Sequence, residues 1–113
     1  MRPTPIALGY LRRDVSGVSQ VWDETHIRSL AKRLGYDLLE IVVFSAKTDR
    51  PVPRLIDAAR TVDLDAVIVP STAHFDGGEI PQELINTCDV LTVNPETTHA
   101  RNSAPQIFAG DTR

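Results

Sequence analysis

Apolar residues along this chain fall into four short runs, and the stretches between them carry a helical repeat. The first run, Ile6 to Leu11, is continuous and reads as a buried strand. From Val18 to Leu34 the period changes: Ile27, Leu30, Ala31 and Leu34 recur at i, i+3, i+4 and i+7, one face of a helix. Glu24 and Arg28 pair across a turn on the other side. Gly35 then supplies a stop, because glycine takes the left-handed conformation at little steric cost. Leu38 to Phe44 is nearly all apolar and β-branched, as expected of a strand covered on both sheet faces. Ser45 to Arg50 is a polar loop, and Pro51 suits the first turn of a helix whose buried side is Val52, Leu55, Ile56 and Ala59. Ala66 to Val69 is a third strand closed by Pro70, and Ser71 to Gly78 is a loop. Pro81 opens a short helix with Leu84 and Ile85 inward, and Val90 to Val93 is a fourth strand.

Strands alternating with helices imply an α/β domain of three layers, a mainly parallel four-stranded sheet between helices. Right-handed crossovers leave few arrangements, and the flavodoxin-like order 2-1-3-4 is expected. Its switch point lies between strands 1 and 3, and ligands bind beyond their carboxyl ends. Topology alone therefore brings Arg12, Arg13, Ser71 and Thr72 to the candidate site. Residues 1–94 form the expected domain. Residues 95–113 are mostly small and polar, with Ile107 and Phe108 their bulky apolar pair, and read as a largely disordered tail.

Composition narrows the class. The chain has 113 residues, 42% of them hydrophobic, enough for one compact core. No run approaches the roughly 20 apolar residues of a membrane helix, and the N-terminus lacks a secretory core. A lone cysteine, Cys88, excludes an internal disulfide and fits a small buried residue in a reducing compartment. A cytoplasmic location is expected. The net charge of −3 hides an asymmetry: residues 1–60 carry ten Lys/Arg against seven Asp/Glu, residues 61–113 two against eight. An acidic second half opposes wrapping by nucleic acid, while the basic first half leaves room for a local anion site. His26, His74 and His99 are isolated, so no metal site is expected, and no cofactor motif occurs. Trp22 lies off the main apolar face of its helix and is read as covering the core edge, with a partner anchor as the alternative.

Two segments carry a more specific signal. Tyr10-Leu11-Arg12-Arg13-Asp14 follows the first strand, and Ser45-Ala46 is followed by Asp49-Arg50-Pro51 before the second helix. Together, over roughly residues 6–70, they resemble the catalytic domain of the serine recombinases (resolvases and invertases). That family opens on Tyr-x-Arg-x-Ser and carries a Ser-Gly turn followed by Asp-Arg-Pro. The resemblance implies that Arg12 and Arg50 face a scissile phosphate and that a serine nucleophile belongs at position 14. Here that position is Asp14.

The departures can be weighed physically. An ionised Asp14 would repel a phosphate by about 4 kcal/mol at about 4 Å and an effective dielectric near 20. The family's Leu-Asp-Arg-Leu-x-Arg after the third strand is replaced by Pro70-Ser71-Thr72-Ala73-His74-Phe75, which lacks the arginines that stabilise the transition state. Neither the family's long helix nor a DNA-binding helix-turn-helix follows. The sequence thus implies a catalytically inactive resolvase-like domain, not an enzyme, acting as a protein-interaction or regulatory module. Its partner is a second protein or another copy, and DNA binding by this chain alone is not expected. Two alternatives stay open. One is a small-anion or nucleotide site built from Arg12, Arg13, Arg50, Ser71 and Thr72. The other is residual DNA strand transfer with Ser16 as nucleophile, although no base for Ser16 stands nearby in sequence and a turn or cap role suits it better.

Overall fold

The computed structural model describes residues 4–102. A central strand β1 (Ile6–Arg12) leads directly into a short helix α1 (Arg13–Ser16), a 3-10 turn at Gly17–Ser19 and the long helix α2 (Gln20–Leu34). β2 (Asp37–Phe44), α3 (Pro51–Thr61) and β3 (Ala66–Val69) follow. Two further 3-10 turns, Thr72–His74 and Asp76–Gly78, precede α4 (Gln82–Ile85), β4 (Asp89–Thr92) and β5 (Thr97–His99). The strands form one sheet in the order β2-β1-β3-β4-β5. The first three pairings are parallel and the last is antiparallel.

Strand alternation sorts the core into two layers, because successive side chains point to opposite faces. On one face Ala7, Leu11, Ala66, Ile68 and Leu91 meet Ile27, Leu30 and Ala31 of α2. On the other, Leu8, Tyr10, Val67, Val69 and Val90 meet Leu55, Ile56 and Ala59 of α3, Leu84 of α4, and Cys88. β1 takes part in both, so its first six residues are all buried. α2 ends where Gly35 turns left-handed at φ 84° and returns its N–H to the last carbonyls of the helix.

Three expectations are corrected. First, the sheet has five strands rather than four, and the domain runs past residue 94. Thr97, Thr98 and His99 pair with Thr92, Leu91 and Val90 inside the stretch read as a tail. Thr-Thr-His has no apolar alternation to announce a strand; the pairing is held by the β4 backbone and by Arg33, whose fork grips Glu96 at 3.0 and 3.1 Å. Residues 103–113, with Ile107 and Phe108, lie outside the described residues. Second, β2 is not covered on both faces as its apolar run suggested, although it holds the edge position that the order 2-1-3-4 gives it. It gains one extra residue between Leu38 and Ile41 opposite β1, and Leu39 and Val43 are exposed. Third, Trp22 is 65% exposed and rests on His26, with ring centroids 5.4 Å apart, instead of covering the core. Leu34, the last residue of the expected helix face, is also exposed. No helix among the described residues is long and apolar enough to cross a membrane.

Candidate functional site

The carboxyl ends of β1 and β3 meet at the switch point, and the loop after β3 folds back over the end of β1. Tyr10 is buried between two rings, stacked on Phe75 at 5.4 Å and edge-on to Phe44 at 5.6 Å. Its hydroxyl donates to the carbonyl of His74 at 3.0 Å. Burial pushes its phenol up to about 12, so it remains a neutral donor. Two residues on, the backbone N–H of Arg12 donates to Nδ1 of His74 at 2.9 Å. His74 thereby serves as a side-chain cap on the end of a strand, and its proton must sit on Nε2.

The Arg12 guanidinium is spoken for on two sides. Nε and Nη2 reach Oδ1 and Oδ2 of Asp14 at 3.2 and 2.8 Å, and Nη1 reaches Oδ1 of Asp76 at 2.6 Å. The bonds from Arg12 hold the Asp14 carboxyl below the usual carboxylate range, and the same two acids raise the Arg12 guanidinium further. Two carboxylates around one guanidinium leave the cluster with no surplus positive charge. An incoming phosphate would have to displace both acids before meeting the fork.

The other candidates separate. Ser71 accepts from the Ala73 N–H at 3.3 Å, and Thr72 accepts at its carbonyl from Phe75 at 3.0 Å, so both shape the loop beside Arg12. Arg13 is exposed on α1. Arg50, left-handed at φ 51° just before α3, lines a separate hollow of about 230 Å³ with Asp49, Pro53, Arg54 and Asp57. Two acids balance its two arginines, so it shares no site with Arg12 and offers little excess charge to an anion.

Ser16 does have a base, one that its neighbours in sequence did not suggest. Its hydroxyl donates to Oδ2 of Asp23 at 2.6 Å, from α1 to the first turn of α2. His74 and Asp76 were missed as partners because their contacts with Arg12 span 62 and 64 residues, and no spacing rule reaches that far; Asp23 is only seven residues from Ser16, but the break at Gly17 between the two helices sets their approach. A carboxylate beside a serine is only half of a nucleophilic site. Transfer to phosphate also needs cations for the developing charge, and Arg12, at the end of β1, is already neutralised. Among the described residues, no group of three or more His, Cys, Asp or Glu is placed to hold a metal. Cys88 is fully buried and its thiol is pushed up to about 12 by that burial, so it is no reagent.

His74 makes a prediction of its own. Only 3% exposed, its imidazole is pushed below the ordinary value of about 6.5 by burial, against the weaker pull of Asp23 and Asp14. Unfolded chains then bind a proton that the folded state refuses, so stability falls as pH drops below about 6.5. His74→Gln, whose side-chain carbonyl can still accept from Arg12, is expected to flatten the decline between pH 6.5 and 5. Urea melts across that range check it; an unchanged slope would show that His74 does not set it.

No family model matches the chain, and no curated protein matches it.

Proposed function

We propose that this chain is a catalytically inactive relative of the serine recombinase catalytic domain and works by binding a protein surface. The observation that carries this reading is the closure of Arg12 between Asp14 and Asp76. A phosphate-handling site keeps its arginine open to substrate; this one is neutralised from within by the residue standing at the nucleophile position. Beside the closed cluster, Val15, Val18 and Val21 lie exposed at three-residue intervals across α1 and the start of α2. Val21 is 75% exposed, and Val18 is open to solvent on all sides. The three come from α1, the 3-10 turn and α2 in succession and put apolar side chains into solvent along this shoulder, the kind of surface that a partner groove or a second copy covers.

The test joins two measurements. Wild-type protein is expected to self-associate by light scattering, or to retain a partner from lysate, and Val18→Asp with Val21→Asp is expected to abolish this without changing the melting temperature. A monomer that retains the same proteins as the double variant would overturn the binding half. Supercoiled plasmid is expected to stay intact; nicking or a covalent protein–DNA adduct that Ser16→Ala removes would overturn the inactive half.

A further inference from the structure

Beyond the carboxyl ends of β3 and β4, the first turns of α2 stand away from the sheet and leave an open cleft of about 400 Å³. Ser19, Trp22, Asp23 and His26 form the helix wall, and Val93 and Asn94 face them from the end of β4. None of the residues of the Arg12 cluster lines the cleft, and the Ser16 hydroxyl takes one oxygen of Asp23. Three features of the cleft select a ligand. Its charged group of fixed sign is Asp23, and no lysine or arginine lines it, so an anion is repelled and a cation is drawn in. Its aromatic surface is Trp22, an indole left 65% exposed with its ring tilted 42° to that of His26. Indole faces attract cations, and flat ones stack on them. Its remaining acceptors are side-chain oxygens: Asp23 Oδ1, for which the described residues supply no donor, and the amide of Asn94 at the mouth.

We propose that this cleft binds a small planar cation of the guanidinium or amidinium class, stacked on Trp22 and hydrogen-bonded to Asp23. An ammonium point charge would meet Asp23 but gain less from the indole face, whereas a guanidinium fork uses both at once. The cleft's volume lies at the lower end of the range for small-molecule sites, which suits a ligand of the size of an arginine side chain. The proposal does not depend on the valine shoulder or on descent from recombinases.

Trp22 is the chain's single tryptophan, so its indole N–H gives one resonance that reports on the cleft alone. Titration with agmatine is expected to move that resonance saturably, with putrescine, which has ammonium groups and no planar fork, binding several-fold more weakly. Asp23→Asn keeps an acceptor for Ser16 and is expected to weaken agmatine binding about 10- to 100-fold, the loss of a charge-assisted pair. Trp22→Ala, at an exposed position, is expected to weaken it about 3- to 30-fold when followed by calorimetry. Val18→Ser with Val21→Ser, which places no new charge beside the cleft, is expected to weaken partner binding and leave agmatine binding unchanged, so the two losses read out separately. A Trp22 resonance that ignores agmatine, that responds equally in Asp23→Asn, or that moves with inorganic phosphate instead would overturn the proposal.

Discussion

Tyr10→Ala is expected to destabilise the protein by about 3–5 kcal/mol, and Tyr10→Phe by only about 1 kcal/mol. The alanine variant empties a space between Phe44 and Phe75 that is closed to water, and it removes the hydroxyl that holds the His74 carbonyl. Phenylalanine keeps both ring contacts and loses only the hydrogen bond. At about 4–8 °C per kcal/mol for a domain of this size, the two melting curves should be clearly resolved. Similar losses from both substitutions would mean that the hydroxyl, not the ring, is what position 10 requires. Tyr10 is thus a structural residue of the loop that closes over Arg12, and the polar tip of its ring holds that loop by the backbone.

Gly9→Val carries the second large effect. Gly9 lies on the α2 face of β1 between Ala7 and Leu11, where a Cβ would meet Ile27 Cγ2 at 2.8 Å and Ile41 Cγ1 at 2.9 Å. Ile27 is fully buried and has no room to withdraw. Alanine alone is expected to cost about 1–3 kcal/mol, and valine, with two more methyl groups in the same space, more than that. Combining Gly9→Ala with Ile27→Ala, which removes the Cγ2 methyl at the point of contact, should cost less than the sum of the two single losses. Denaturant melts of the two single variants and the pair supply the cycle; strictly additive losses would place the strain elsewhere. The glycine is what lets α2 lie close to the sheet and so sets the height of the cleft walled by Trp22 and Asp23.

The layered α/β domain and the four parallel strands were legible because their signals are local. Ile6 to Leu11 is a continuous apolar run, Ile27, Leu30 and Ala31 mark one helix face, and Gly35 ends it. The burial of β2 was misread because Leu38 to Phe44 is as apolar as a central strand, although the order 2-1-3-4 already places it at an edge. Its bulge and exposed Leu39 and Val43 follow from that position. β5 was invisible for the opposite reason: Thr97, Thr98 and His99 form a strand through backbone pairing, with little apolar surface to bury. At the site, the pairing of Asp14 with an arginine was open to inference from two residues' separation. Which arginine, and that Asp76 would complete the enclosure, depends on the loop after β3 returning across the sheet. Trp22 was assigned to the core edge on residue type alone, and its exposure reflects where α2 overhangs the sheet end.

The position of β1 in the sheet has a consequence for how the chain is made. β1 is the first of the described strands to be synthesised and an interior one, with β2 on one side and β3 on the other. Until Ala66–Val69 has emerged, one edge of β1 has no strand to pair with, and its six buried residues lack half of their cover. At roughly 5–20 residues per second that interval is on the order of 3–11 s on the ribosome. Closing it also requires joining segments some 59 residues apart in sequence, a slow step for a small domain. During that wait the nascent Ile-Ala-Leu-Gly-Tyr-Leu segment is the part of this protein most open to capture by a chaperone or by a neighbouring chain.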